Sequence, residues 1–247
     1  MNGVGKYIPN ALTCCNLIFG CVACVAGLEG HYFHAMLSIF IAVGFDFADG
    51  LAARLLKAYS SIGKDLDSLA DMVSFGVAPG LMLFRFIDER MATVSLTHPL
   101  ISCLFYIGAL AIPVCSALRL AKFNNDTRQT TTFIGLPVPA HAIFWSSLIC
   151  ALLSGSGSML SGMSMEIEPF ILLTVITVVA IVTSLLLVSE VPMFSLKVKS
   201  LAWKGNELRY LLILGAVALT VWLGITGIAA TILLYILLSF VGMRRVK

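Results

Sequence analysis

Long apolar runs, separated by short polar stretches, dominate the hydrophobic pattern of this chain. We mark eight runs, each bounded to within about four residues: 8–28, 33–56, 67–87, 99–121, 138–156, 169–189, 208–223 and 225–243. These runs are close to the roughly 20 residues that a helix needs to cross a bilayer. They are too long for strands and lack the alternation of a membrane β-barrel. The pattern predicts an all-α polytopic membrane protein with about eight transmembrane helices.

The composition agrees with a membrane solvent. Of 247 residues, 59% are hydrophobic and 12% are charged, and the mean hydropathy is +0.99. A soluble domain could not bury so much apolar surface. The eight spans leave little room for a separate globular domain, so we expect one integral membrane domain over residues 1–247.

The basic residues predict the orientation of the spans. With an intracellular N-terminus, fourteen of the 16 Lys and Arg fall on the inner side. Those fourteen are Lys6, Arg54, Lys57, Lys64, Arg119, Lys122, Arg128, Lys197, Lys199, Lys204, Arg209, Arg244, Arg245 and Lys247, which leaves Arg85 and Arg90 near outer ends. The positive-inside rule therefore predicts cytoplasmic N- and C-termini. The net charge of +3 is mild, and no basic cluster alternates with aromatics, which argues against a nucleic-acid partner.

Four aspartates stand at the ends of two consecutive spans, where charged side chains are costly. Asp46 and Asp49 are three residues apart, and Asp67 and Asp71 are four apart, so each pair shares one face of a helix. Two helices joined by a tight turn can direct both pairs to one point, where the carboxylates would repel one another. Oxygen ligands without His or Cys suit Mg²⁺ or Mn²⁺, and four negative charges match two divalent ions.

The residues between the two pairs favour a ligand site. Gly50 lacks a side chain, Ala53 keeps the same face open, and Arg54 could clamp a phosphate. The alternative is that the acids are structural and pair with Arg54, Lys57 and Lys64 at the membrane interface. Four acids at paired helical spacing, with glycine and arginine between them, favour the site.

Residues 46–71 follow the pattern D-x2-D-G-x2-A-R-x8-G-x3-D-x3-D. This pattern resembles the signature of the CDP-alcohol phosphatidyltransferase family. Four more segments resemble the phosphatidylserine synthase branch of that family: PNALTCCN at 9–16, DMVSFGVAP at 71–79, ALRLAKFN at 117–124 and FIGLPVP at 133–139. The last three spans carry no recognisable motif.

The resemblance implies a CDP-diacylglycerol–serine O-phosphatidyltransferase. Its substrates would be CDP-diacylglycerol and L-serine, its products phosphatidylserine and CMP, and the serine hydroxyl would attack directly. By the same resemblance, the metal ligands for two Mg²⁺ or Mn²⁺ ions would be Asp46, Asp49, Asp67 and Asp71, and Asp71 would also be the general base. The motif-bearing core would cover about 8–156, with accessory helices over about 169–243, and analogy with the family implies a homodimer.

Further residues are expected to bind the two substrates. The resemblance assigns the CDP headgroup to Gly50, Ala53, Arg54 and Ser60. Asn10, Thr13 and Asn16 recur near one helix face and are expected to reach the cytidine or its ribose, or else to bond their own helix.

A carboxylate substrate needs a fixed cation, for which Arg119 is the first candidate and Lys122 the second; the alternative is that both only set topology. Ser74 is expected to shape the serine pocket, and Glu190 is expected to be solvated at an inner helix end.

These groups fall at inner ends of helices, so we expect an active site that faces the cytoplasm across a bacterial cytoplasmic membrane. Two other functions stay open at this point. The same chemistry could act on glycerol 3-phosphate or inositol phosphate, which would favour a larger basic cluster. A cation transporter also carries intramembrane acids, but there they are expected in both halves of the chain.

Overall fold

The computed structural model describes residues 7–58, 61–94, 99–126, 133–153, 167–194 and 206–245. Within these ranges the chain forms helices α1 (Tyr7–Leu28), α2 (Tyr32–Leu55), α3 (Ser61–Asp71), α4 (Ala78–Met91), α5 (Pro99–Asn125), α6 (Val138–Leu153), α7 (Pro169–Val188), α8 (Glu207–Leu223) and α9 (Ile225–Arg245). A π-helical segment, Met72–Val77, joins α3 to α4, and two short strands are β1 (Phe133–Ile134) and β2 (Pro192–Met193).

Within the described ranges each predicted apolar run falls on helix, and the all-α membrane class is confirmed. Among the residues that the structure describes, five helical stretches are long and apolar enough to cross a bilayer: Tyr7–Leu28, Tyr32–Leu55, Ile62–Met91, Ser102–Asn125 and Pro169–Val188. The apolar stretches Val138–Leu153 and Ile225–Val241 are shorter. The third helical stretch begins several residues before the predicted run, because the polar residues of α3 continue the helix beyond the apolar part.

The π-helical segment lies between the acids of α3 and the apolar body of α4. Pro79, in the first turn of α4, has no N–H to donate to the preceding turn, and a wider helical turn accommodates that loss. Small residues then allow close packing. A Cβ on Gly80 would lie 3.0 Å from Cδ of Pro113 in α5, so these two helices are in near contact.

Helix α1 is the element that aligns the site. It packs along α2 and also contacts α3, the π-helical segment and α4. The contact is closest at Gly20, where a Cβ would lie 2.9 Å from the Cα of Ser74. Because α1 touches both acid-bearing helices, its polar side chains can reach both pairs of aspartates.

The second half of the described chain packs around α6. Helix α5 pairs with α7, α8 pairs with α9, and α9 lies against α6. Trp145 of α6 is fully buried, and its indole N–H lies 3.1 Å from Nε2 of His141 and 3.2 Å from Oγ1 of Thr183 in α7. This buried network fixes α6 against α7.

A two-residue antiparallel strand pair links the segment before α6 to the segment after α7. Phe133 pairs with Met193 and Ile134 with Pro192, and the Gly135 N–H donates to Val191 O at 2.8 Å. Gly135 has a φ of +76° and lies so close to the end of α7 that a Cβ would be 3.0 Å from Ser189 O. We call this pair the strand clasp. It fixes the chain around Glu190, just beyond α7.

Candidate active site

Three of the four motif aspartates converge. Carboxylate oxygens of Asp46 and Asp49, from the last turns of α2, and of Asp67, from α3, all lie within 4.8 Å of one another. Asp49 is buried, and Oδ1 of Asp67 is buried with no hydrogen-bond partner in the described chain. Such an oxygen costs free energy unless a cation lies beside it.

The end of α2 shows why the second pair of acids returns to the first. The Ala58 N–H donates to Ala53 O at 3.0 Å, the Lys57 N–H donates to Arg54 O at 3.3 Å, and Lys57 has a φ of 50°. These bonds form a Schellman motif, which ends a helix and redirects the chain. Its left-handed position is usually glycine, and here a lysine takes it.

Asp71 lies outside this three-acid cluster but within its electrostatic field. The charges of Asp46 and Asp67 act on it most strongly. Oδ1 of Asp71 accepts a hydrogen bond from Nδ2 of Asn16 at 3.1 Å, and Asn16 is fully buried. The sequence predicted that Asn16 reaches the cytidine or its ribose, or else bonds its own helix; in the structure its amide contacts Asp71, the predicted base.

Helix α1 also contacts one acid of the other pair, Asp49. The buried Thr13 hydroxyl lies 2.6 Å from Oδ2 of Asp49 and 3.0 Å from Pro9 O of its own helix, and it can donate to either acceptor. Thr13 and Asn16 are one helical turn apart, so a single face of α1 fixes one acid from α2 and one from α3. This explains how acids on two helices keep a common orientation.

The cluster suits a hard divalent cation. Its donors are carboxylate oxygens alone, the ligand type that Mg²⁺ and Mn²⁺ prefer. The close approach of three carboxylates and the unpartnered Oδ1 of Asp67 in the described chain both call for positive charge at their centre. The residues present therefore fit the metal that the sequence predicted.

A cavity of about 210 Å³ opens beside the acids, and we call it the first cavity. Its lining residues are Pro9, Asn10, Thr13, Asp49, Gly50, Ala53, Ala58, Gly63, Lys64 and Asp67. Four residues predicted for the CDP headgroup or cytidine lie there: Asn10, Thr13, Gly50 and Ala53. A Cβ on Gly50 would have nothing within 4 Å, so the backbone at this position is open to a ligand.

Two other predicted headgroup residues lie elsewhere. Arg54 is exposed, and its Nε donates to Gly50 O at 2.9 Å, which holds the guanidinium beside the first cavity without lining it. Ser60 lies outside the described residues.

Lys64 lines the first cavity, although its place in the sequence predicted only an inner-side cation and an alternative partner for the acids. Its Nζ donates to Asn124 O at 2.8 Å, which ties α3 to the end of α5. The available signal was its position directly after the motif glycine, Gly63. A single lysine at a span end looks the same in sequence whether it sets topology or faces a ligand.

A second cavity, of about 380 Å³, lies at the ends of α5 and α7. It is lined by Arg119, Lys122, Asn125, Asp126, Ile134, Leu187, Val188, Ser189 and Glu190. Both predicted serine-binding cations are present. Lys122 Nζ donates to Val188 O at 3.2 Å.

Arg119 is only 7% exposed, and in the part of the chain that the structure describes its guanidinium makes no hydrogen bond or ion pair. It lies over the ring of Phe123, with Cζ 5.0 Å from the centroid. Asp71 and Tyr235 are the ionisable groups that act on it electrostatically. A buried guanidinium that borders a cavity is suited to bind an anion.

Ser74 does not line the second cavity. It is fully buried, and its hydroxyl donates to Asn16 O at 3.0 Å, so its contact is with α1. The predicted role of Ser74 in shaping a serine pocket gains no support from this contact. Glu190 is exposed, as expected for a solvated group, but it also lines the second cavity, a position that the sequence did not predict.

Comparison with known proteins adds a family match. The model of the CDP-alcohol phosphatidyltransferase family matches residues 6–241. The chain is 41% identical over 134 residues to a Bacillus subtilis (strain 168) protein, 54% of this chain and 70% of that one. It is 35% identical over 145 residues to a protein from Mycobacterium leprae (strain TN), and the match covers 56% of this chain and 45% of that protein. It is 31% identical over 196 residues to a protein from Mycobacterium tuberculosis (strain H37Rv), and the match covers 76% of this chain and 61% of that protein.

All three relatives are named CDP-diacylglycerol–serine O-phosphatidyltransferase. The matched stretch spans between 45% and 70% of their own lengths. The family predicted from the sequence, and with it the transferase class, is confirmed.

Proposed function

This chain belongs to the CDP-alcohol phosphatidyltransferase family, and we propose that it transfers the phosphatidyl group of CDP-diacylglycerol to the hydroxyl of L-serine, giving phosphatidylserine and CMP. The observation that carries this proposal is the convergence of Asp46, Asp49 and Asp67 at the first cavity. The names of the relatives support serine as the acceptor.

The four motif aspartates would hold two divalent cations, Mg²⁺ or Mn²⁺. When bound, these ions neutralise the pyrophosphate and stabilise the leaving phosphate of CMP. The chain itself supplies the orientation of the ligands. Thr13 is in hydrogen-bond reach of Asp49 and Asn16 donates to Asp71, so each contact engages one carboxylate oxygen and leaves the other for a metal ion.

Asp71 would act as the general base. Its Oδ1 accepts from Asn16, which leaves Oδ2 to take the proton of the serine hydroxyl. The serine oxygen then forms a bond to the phosphorus next to diacylglycerol, and the bond from that phosphorus to the CMP oxygen breaks. No covalent bond to the protein is needed.

The first cavity would receive the CDP headgroup. Gly50 leaves its backbone open, Asn10 offers an amide at the rim, and Lys64 brings a positive charge. Arg54 and Ser60 keep their predicted headgroup roles as part of this proposal. The acyl chains would lie in the bilayer, which the exposed apolar helix faces contact.

The second cavity would receive serine, with its carboxylate on Arg119. The cavity walls carry two cations, Arg119 and Lys122, and two acids, Asp126 and Glu190. A balanced set of charges suits a zwitterionic amino acid better than glycerol 3-phosphate or inositol phosphate, which bring a phosphate dianion. Charge balance in this cavity therefore favours serine over the other alcohols.

The wider setting belongs to the same proposal. We propose one integral catalytic domain over 1–247 in a bacterial cytoplasmic membrane, with both termini and the active site at the cytoplasmic side. The distribution of basic residues supports this orientation. Pairing of two copies stays a prediction that rests on the family resemblance.

The direct test is an acceptor panel. Purified protein in mixed micelles is given CDP-diacylglycerol and Mn²⁺ with serine, glycerol 3-phosphate or inositol phosphate, and the release of CMP is measured. We expect release with serine alone, none after chelation, and none from Asp71→Asn. Release with a phosphorylated alcohol and not with serine would contradict the proposed acceptor.

A further inference from the structure

We propose that Glu190 binds the ammonium group of the amino-acid acceptor and so makes the second cavity selective for a zwitterion. This inference rests on the proposed function and adds to it a specificity residue just beyond α7, among the last three spans, which carry no recognisable motif.

The first support is the arrangement of charges in the second cavity. Glu190 lines the same cavity as Arg119 and Lys122. Within the described ranges, however, Glu190 forms an ion pair with neither cation. Opposite charges that share a cavity without touching leave room for a ligand that carries both signs.

The second support is the fixed position of Glu190. It follows α7 closely and precedes β2, and the strand clasp holds the next residue through the bond from Gly135 N–H to Val191 O at 2.8 Å. The C-terminus of α7 also lines the cavity, and helix C-termini attract cations. The last carbonyl of α7, Val188 O, already accepts from Lys122 Nζ at 3.2 Å, so an ammonium group at this wall would meet the Glu190 carboxylate.

The third support is the way a small amino acid would span the cavity. Its carboxylate would reach Arg119, which is buried and unpaired in the described chain, and its ammonium would reach Glu190. The hydroxyl would then face Asp71, one of the two groups that act on Arg119. In this arrangement both charged ends would have a partner, and the reacting oxygen would be directed toward the proposed base.

Asp126 is the other acid of the cavity wall, and it is the weaker candidate. It is already engaged in an interaction of its own, whereas Glu190 has neither a hydrogen bond nor an ion pair among the described residues. The unengaged carboxylate can bind a ligand without first giving up a protein contact.

The test compares Glu190→Gln with the wild-type protein on two acceptors. L-serine carries the ammonium group, and 3-hydroxypropionate is the same molecule without it. A lost charge-assisted hydrogen bond is expected to raise KM for serine about 10- to 100-fold. KM for CDP-diacylglycerol should stay unchanged. The wild-type protein should use 3-hydroxypropionate poorly, and Glu190→Gln should leave its KM for this acceptor unchanged. Glu190→Asp, which keeps the charge on a shorter side chain, should recover part of the affinity for serine.

Glu168→Gln is the matched control, because Glu168 lies at the opposite end of α7 and caps it by accepting from the Ile171 N–H. This variant loses the same charge and should leave KM for serine at the wild-type value. An unchanged KM for serine in Glu190→Gln, or equal losses with serine and 3-hydroxypropionate, would overturn the inference while the proposed function stands. No phosphatidylserine from the wild-type protein would overturn the function itself.

Discussion

The close contact between Gly20 and Ser74 predicts that a larger side chain at position 20 disturbs the candidate active site. Alanine at position 20 would place its Cβ against Ser74 Oγ and 2.9 Å from Ser74 Cα. The backbone of α1 or of the π-helical segment must therefore move. That movement would disturb the hydrogen bond from Ser74 to Asn16 O and the hydrogen bond from Asn16 to Asp71. We expect Gly20→Ala to lower both stability and turnover.

The magnitude follows from three contributions. Replacing glycine by alanine inside a helix is favourable by about 1 kcal/mol. Overpacking a tight contact costs about 1–3 kcal/mol, and losing the Ser74 hydrogen bond costs about 1 kcal/mol more. The net loss of unfolding free energy for Gly20→Ala is therefore about 1–3 kcal/mol.

Gly44→Ala is the matched control, because Gly44 lies within α2, is exposed, and a Cβ at this position would have nothing within 4 Å. Only the favourable helix contribution remains, so this variant should be stabilised by about 1 kcal/mol. Thermal unfolding in detergent and CMP release measure both effects. If the two variants shift the midpoint in the same direction, the α1 contact does not limit stability and the reasoning fails.

Two further variants test local contacts of the site. Lys57→Gly removes a side chain from the left-handed position that ends α2. The free energy of unfolding should therefore rise by up to about 1 kcal/mol, and the unfolding midpoint should rise with it. Lys57→Ala, which keeps the unfavourable φ, should give no such gain; equal midpoints for the two would contradict the assignment of strain. Thr13→Val removes the hydroxyl that lies 2.6 Å from Asp49 and should weaken Mn²⁺ binding about 10- to 100-fold, while Thr13→Ser should bind normally. Normal Mn²⁺ affinity in Thr13→Val would show that this contact does not orient the acid.

The sequence predicted the parts of this protein that depend on local spacing. The helices follow from the length of the apolar runs, and the meeting of Asp46, Asp49 and Asp67 follows from helical periodicity on two spans joined by a short turn. The family motif added the likeness to known enzymes. All of these signals lie within stretches of chain shorter than two spans.

Contacts between distant spans could not be predicted in the same way. The contact between Asn16 and Asp71 could not be predicted, because a polar residue on an apolar face carries no sign of whether its partner is a substrate or another helix. Glu190 and Arg119 meet at one cavity only because α7 packs beside α5. The strand clasp has two residues per strand, which is too short for any alternating pattern.

The central claim is that the motif acids form a binding site for divalent cations, and Mn²⁺ binding measured by electron paramagnetic resonance tests it most directly. The comparison is between Asp67→Asn and Asp65→Asn, since both lie on α3 but Asp65 is exposed and outside the three-acid cluster. We predict that wild-type protein and Asp65→Asn bind Mn²⁺ with equal affinity, and that Asp67→Asn loses most of that affinity. Equal binding by Asp67→Asn and Asp65→Asn would contradict the claim.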